Sequence, residues 1–314
     1  MFAALLLSVT LVSDQPEAVL AILEKRAGSQ AITEVDWQRL FTAEGYVRLK
    51  KREQSMQRPF EDEAFRTFVL SDDLLAKRPM LSRVLNDWKR ADLSRATSLA
   101  QAYLPPGTKI EAKIYPSIKP ATNSFVFELD TDPAIFKYIE DEPRERFEQV
   151  IAHEMHHVGY RRACRGNDED DLLRWLGAFG EGFAVLAAAG GPDADPQQHS
   201  PAGVQAEWKR QMADLEKNFH EVETFLADVA AGLPEEEQHR RGFAFYGVQG
   251  PWYSVGWKMA VVIEKTLGRE TLVAVMCDRS KLFAAYNRAS DAWFESTGER
   301  LPKWRAPLIS RPPR

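Results

Sequence analysis

Apolar residues recur at spacings of three and four from about Glu17 to Leu104, among charged side chains. Leu74, Leu75, Met80, Leu81, Val84, Leu85 and Trp88 form one such stripe, the mark of helices that bury a single face. Pro105-Pro106-Gly107 closes this helical region, since proline cannot continue a helix and glycine loosens the backbone. The period then shortens. Lys109-Ile110-Glu111-Ala112-Lys113-Ile114-Tyr115 alternates, and Ser124-Phe125-Val126-Phe127-Glu128-Leu129 is rich in β-formers, so two strands are expected, ended by Asp130-Thr131-Asp132-Pro133. Asp141-Glu142-Pro143 starts a helix, because acids suit the first turn and proline its first position. Further helices are expected from about Asp171 to Ala189, stopped by Gly190-Gly191-Pro192-Asp193, near Gln205 to Ala231 and near Val255 to Leu267. A Gly- and aromatic-rich turn separates the last two, and the Pro- and Arg-rich tail from Leu301 to Arg314 is expected to be irregular. The pattern predicts an α+β fold, mainly α, with a small β-sheet and helical N- and C-terminal parts.

Composition adds exclusions. A chain of 314 residues, 44% hydrophobic and 28% charged, is an ordinary globular protein with ample core. A net charge of −5 makes no electrostatic case for nucleic acid or an anionic membrane as partner. The run from Met1 to Val12 is apolar and is broken by Asp14-Gln15-Pro16. It is too short to span a bilayer and is read as an export signal over residues 1–13, implying a periplasmic or secreted protein. A buried N-terminal segment in a cytoplasmic protein is the alternative, since no basic residue precedes the run and Leu11-Val12-Ser13 is a poor cleavage site. No later segment reads as apolar enough to cross a membrane. Cys164 and Cys277 lack C-x-x-C spacing and cannot build a Cys-rich metal site. They are either a disulfide in an exported protein or two separate buried thiols. The expected organisation is a helical region over 14–105, a core over 106–190 and a helical C-terminal part over 191–314. Nothing in the pattern indicates an oligomeric state.

The chemistry concentrates in Val150-Ile151-Ala152-His153-Glu154-Met155-His156-His157-Val158-Gly159. His153 and His157 stand four apart on an expected helix, one above the other on one face, so both can hold one Zn²⁺. At 100° per residue from Phe147, Ile151 and Val158 fall within about 40° of it, while His153 and His157 lie near roughly 240° and 280°. Glu154, near roughly 340°, lies beside the pair, placed to take a proton from water that the metal activates. His156, near roughly 180°, is off that face and is read as a neighbour. A catalytic zinc needs a third protein ligand. No histidine follows until His199, which excludes a third histidine just beyond the motif. Glu181, in Phe179-Gly180-Glu181-Gly182-Phe183-Ala184, is the only acid between Asp171 and Asp193. A lone carboxylate in so apolar a stretch is costly to bury without a positive partner, which a metal or a basic residue would supply. Asp168, Glu169, Asp170 and Asp171 are rivals, although acids at a loop–helix boundary usually cap the helix.

His-Glu-x-x-His followed by Glu-Gly-Phe-Ala resembles the gluzincin pattern, especially that of the aminopeptidase N family. Tyr253-Ser254-Val255-Gly256, continued to Gly268-Arg269-Glu270, is similar to that family's Tyr-x-x-Gly helix. The chain also looks like bacterial zinc-dependent peptidases that share Ala-His-Glu-x-x-His and Gly-Glu-Gly-x-Ala elements. The resemblance implies a zincin-like catalytic core and one Zn²⁺ on His153, His157 and Glu181. It further implies Glu154 as general base, Tyr253 as stabiliser of the oxyanion, and a peptide or protein substrate. Tyr246 is a second candidate for the tyrosine role. The family's Gly-x-Met-Glu-Asn segment, which holds a substrate amine, has no counterpart here, so exopeptidase specificity is not implied. A non-catalytic metal-binding protein and a zinc hydrolase of non-peptide amides or esters are the alternatives.

Overall fold

The computed structural model describes residues 9–121, 124–164, 170–305 and 308. The first eight residues of the expected export signal, the rival acids Asp168 and Glu169, and most of the C-terminal tail lie outside the described residues. In chain order the elements are β1 (Val9–Leu11), α1 (Asp14–Ala27), α2 (Glu34–Phe41), α3 (Glu44–Ser55), α4 (Asp62–Val69), α5 (Asp72–Trp88), α6 (Leu93–Gln101), β2 (Ala112–Ser117), β3 (Phe125–Phe127) and β4 (Ala134–Tyr138). They continue with α7 (Arg144–Ala163), α8 (Asp171–Leu176), a 3₁₀ turn (Gly177–Phe179), α9 (Gly180–Ala189), α10 (Ala202–Ala213), α11 (Leu215–Ala230) and α12 (Glu235–Ala244). The last are α13 (Pro251–Leu267), α14 (Arg269–Cys277), a second 3₁₀ turn (Arg279–Lys281) and α15 (Leu282–Thr297). The protein is thus mainly helical with one small mixed sheet, as the hydrophobic pattern predicts. Two compact units divide the chain, residues 1–95 with 110–154 and residues 96–109 with 155–314; α7 runs unbroken from the first into the second.

The first unit holds the sheet, in the order β1-β2-β4-β3, with β1, β2 and β4 parallel and β3 antiparallel at the end. The two strands expected from sequence are present but are not neighbours, because β4 lies between them. Ala134-Ile135-Phe136-Lys137-Tyr138 shows no alternation, since its first four residues are all buried. Inner strands of parallel pairs are covered on both faces and read as continuous apolar runs, which hides them from a search for a period of two. β1 pairs Val9 to Leu11 with Ala112 to Ile114. Val12 N–H then donates to the Ile114 carbonyl at 2.8 Å, and the Gln15 side chain both donates to and accepts from the Ile118 backbone. Residues 9–12, which the sequence assigns to an export signal, therefore extend the sheet in this structure.

Tyr115, Phe136 and Phe125 stack across β2, β4 and β3 at centroid separations of 5.0 and 5.1 Å, over Leu49 and Ala134. Arg48 of α3 reaches the β3–β4 turn, paired with Glu128 and Asp132 at 2.7 Å each. Those bonds hold Glu128 at φ 54°, a left-handed conformation that a residue with a Cβ adopts only when its surroundings impose it. Trp88 of α5 stacks on Phe147 of α7 at 4.3 Å and fixes the start of that helix.

In the second unit α13 is the axis. Trp252, Val255, Met259, Ala260, Val262 and Ile263 are buried along it, with α9, α10, α11, α14 and α15 packed around them. The single helix expected from Asp171 to Ala189 is instead α8, a 3₁₀ turn and α9. Gly177 and Gly180 bracket the turn, and the tighter 3₁₀ winding re-aims the chain before Glu181. That same stretch does reach the length and mean hydropathy, 1.3, of a membrane span, contrary to the sequence expectation, and 67% of it is buried inside the protein. It is a core segment by burial. The helix expected from Gln205 to Ala231 breaks at Asp214 into α10 and α11, while α12 occupies much of the expected aromatic turn. α15 carries a Leu282, Phe283, Tyr286 and Ala289 stripe that is present in the sequence but was not among the expected elements.

Lys119, between β2 and β3, is buried and donates to the Ala121 carbonyl at 2.6 Å. Burial pulls its ammonium down from 10.5 to about 8. The neutral form is favoured in the fold, so unfolding takes up a proton between those values and stability rises with pH across that window. Relative to wild type, Lys119→Met is expected to be more stable at pH 7 than at pH 9.5. Paired denaturation curves at both pH values check this, and a pH-independent difference would refute it.

Candidate metal centre

Helix α7 buries Phe147, Ile151, Ala152, Met155 and Val158 and leaves His153, Glu154 and His157 partly exposed beside that stripe. The division follows the helical angles read from sequence. Glu181 enters from the first turn of α9. One ligand atom each from His153, His157 and Glu181 lies within 4.8 Å of the other two. His157 Nε2 stands 3.3 Å from Glu181 Oε2. Among the described residues no other trio of His, Cys, Asp or Glu meets this spacing.

The donors fit a metal. Nitrogen and oxygen ligands at about 2.0–2.2 Å from a tetrahedral zinc stand roughly 3.5 Å apart, so the cluster needs only a small contraction. Two neutral imidazoles and one carboxylate are also the donor types that a catalytic zinc takes. The side chains of His157 and Glu181 are 22% and 21% exposed, so solvent reaches both.

The position of Glu181 depends on a crossing of α9 and α13. A Cβ on Gly182 would run into the backbone of Gly256 and Trp257, and one on Gly256 would meet the Phe179 carbonyl at 2.8 Å. The two backbones therefore touch, one residue from Glu181 and one turn from Tyr253. Tyr253 lies in the first turn of α13 and is partly buried. Tyr246 precedes α13, and its phenol is pushed up to about 12 by burial and then by the charge of Glu181. Tyr246 thus has an electrostatic link to that carboxylate.

His156 is buried, with Nε2 donating to the Tyr103 carbonyl at 3.3 Å, on the side of α7 expected from its angle. The Tyr103 hydroxyl in turn donates to Glu264 of α13 at 2.9 Å, and Arg269 Nε reaches Glu264 at 2.8 Å. Tyr103 had no signal in the sequence, because the contact joins residues 53 apart through a backbone carbonyl. Asp170 caps α8, accepting from Leu173 N–H at 3.1 Å, and Asp171 pairs with Arg174 at 2.6 Å. These two rivals therefore hold a helix start, as acids at such a boundary usually do.

Cys164, at the end of α7, is disulfide-bonded to Cys277, at the end of α14. Of the two alternatives open from sequence, the structure takes the bonded one. One turn earlier the Tyr160 hydroxyl donates to the Met276 carbonyl at 3.2 Å. Both ties fix the end of the helix that bears the histidines.

The family described as "Putative zinc dependent peptidase (DUF5700)" matches residues 37–292, and the chain belongs to it. The matched span contains the α7 histidines, Glu181 and both tyrosines. No curated protein and no solved structure matches the chain.

Two outcomes are expected. Gly182→Ala forces α9 off α13 and should cost about 1–3 kcal/mol, as overpacking does, with weaker zinc retention. Denaturation and dialysis against a chelator read both, and an unchanged variant would remove the crossing from the account. Paired Cys164→Ser and Cys277→Ser substitution opens a link spanning 113 residues and should cost about 2–5 kcal/mol. Thiol titration of the denatured wild type without reductant should find no free thiol.

Proposed function

We propose that this protein is a gluzincin-like zinc metallopeptidase that holds one Zn²⁺ on His153, His157 and Glu181. The observation that carries this is the convergence of those three ligand atoms within 4.8 Å. Membership of a family described as a zinc-dependent peptidase supports it. When bound there, zinc supplies Lewis acidity that activates water and polarises a carbonyl. Glu154, partly exposed beside the histidines, accepts the proton of the attacking water and hands it to the departing amine. Tyr253 or Tyr246 donates its phenolic hydrogen to the oxygen on which negative charge develops. The phenol of Tyr246, pushed up to about 12, keeps that hydrogen at neutral pH. The end strand β3 offers its outer edge to an extended peptide, as in β-augmentation. Residues 106–190 then form the zincin-like core, and the resemblance to the aminopeptidase N family lies in the α7, α9 and α13 segments. The Cys164–Cys277 bond favours a periplasmic or extracellular location over the cytoplasm.

Metal content and peptide cleavage, measured together on three proteins, test the proposal. Wild type should carry one zinc and cut peptides. Glu181→Ala should lose zinc affinity by more than the roughly 10–100-fold typical of losing an outer hydrogen bond to a ligand. Glu154→Gln should keep its zinc and lose about 10²–10⁴-fold in kcat. Undiminished zinc in Glu181→Ala refutes the ligand set, and undiminished cleavage by Glu154→Gln refutes the base.

A further inference from the structure

Most of the large apolar side chains exposed on this protein stand alone, but Phe243 and Val248 do not. They are 61% and 62% exposed and lie in one segment, the end of α12 and the turn into α13, with Tyr246 between them. Phe243 stacks on Tyr246 at 6.0 Å and meets Trp175 edge-on at 5.9 Å. Trp175 stacks in turn on the buried Trp252 at 6.2 Å. The exposed ring therefore rests on a packed aromatic platform.

The turn itself is held rigidly. Gln249 takes φ 59°, a conformation that strains a residue with a Cβ and persists only where its surroundings impose it. Gln197, itself buried, donates to the Gln249 side chain at 3.0 Å. Backbone bonds from Gly250 to Tyr246 and from Trp252 to Phe245 fold the turn onto the first turn of α13. That turn bears Tyr253, and one turn further Gly256 touches Gly182 beside Glu181. The rim thus leads into the first turn of α13, the helix that meets α9 beside Glu181.

From Gly242 to Trp257 no side chain is charged, in a chain 28% charged. His239, one turn earlier on α12, lies against the Phe243 ring at 5.6 Å, and an exposed, mainly apolar rim of this kind suits an apolar ligand. Resting on the peptidase reading, we propose that Phe243 and Val248 bind a large apolar side chain of the peptide substrate, flanking the bond to be cut, and set specificity for it.

The test uses the full-length zinc-loaded protein and a peptide series varied at single positions through Leu, Phe, Ser, Asp and Lys. Wild type should prefer Leu or Phe at one position next to the cut. In Phe243→Ser, and again in Val248→Ser, the ratio of kcat/KM for the Leu or Phe peptide over its Ser counterpart should fall about tenfold, the size of effect that an apolar pocket contact exerts. Val35→Ser, at a residue 72% exposed in the other unit, should leave the ratio unchanged. Both rim residues are exposed, so matched denaturation curves will verify that the variants fold. A preference for charged residues, or an unchanged ratio in both variants, would overturn the proposal while leaving the peptidase standing. A zinc-loaded wild type that cuts no peptide would overturn the peptidase and the rim together.

Discussion

The contact on which the candidate site depends is the crossing of α9 on α13 at Gly182 and Gly256, where no side chain separates two helix backbones. Glu181 precedes one of those glycines, and Tyr253 lies one turn before the other. The crossing sets where the carboxylate enters and how far the tyrosine stands from it. Interiors are close-packed, so a single added methyl group at such a point has nowhere to go. The rigidity of the carboxylate follows from this. Glu181 sits at the start of a short helix whose other residues are almost all apolar, and the backbone contact keeps that helix close against α13.

The second unit also ties down the C-terminal part of α7. The disulfide and the Tyr160–Met276 bond hold the end of α7 to α14, while His156 binds the Tyr103 carbonyl from the buried side. Tyr103 leads through its hydroxyl to Glu264, two turns along α13 from Gly256. The histidine helix is thus fixed to the same axial helix that α9 crosses. A metal site gains from such support, because ligands already in place lose little freedom on binding. The first unit contributes the start of α7, anchored by the Trp88–Phe147 stack, and a sheet whose end strand is braced by Arg48.

Local order was legible wherever one period held over several turns. The α7 stripe, its flanking histidines and the off-face His156 all followed from 100° per residue, because a helix exposes its pattern in consecutive residues. Glu181 was legible for a different reason: an isolated acid in an apolar run demands a partner. β4 was not legible, since a strand covered on both faces does not alternate. The split of the 171–189 segment was not legible either, because a 3₁₀ turn preserves the apolar composition while changing the direction of the chain. β1 shows a related ambiguity, as an apolar N-terminal run reads equally as an export signal or a buried strand.

By itself the sequence determined the class of fold, the helix that carries two histidines and a glutamate on adjoining faces, and one isolated acid, Glu181, that needs a positive partner. These are local properties, written in spacing and residue type. The tertiary structure alone decided that Glu181 meets His153 and His157 across 23 intervening residues, that the two cysteines are joined, and that Phe243 and Val248 stay exposed on a rigid turn. Each of these needs residues far apart in the chain to be brought together, and that depends on how whole helices pack, which no short window of sequence contains.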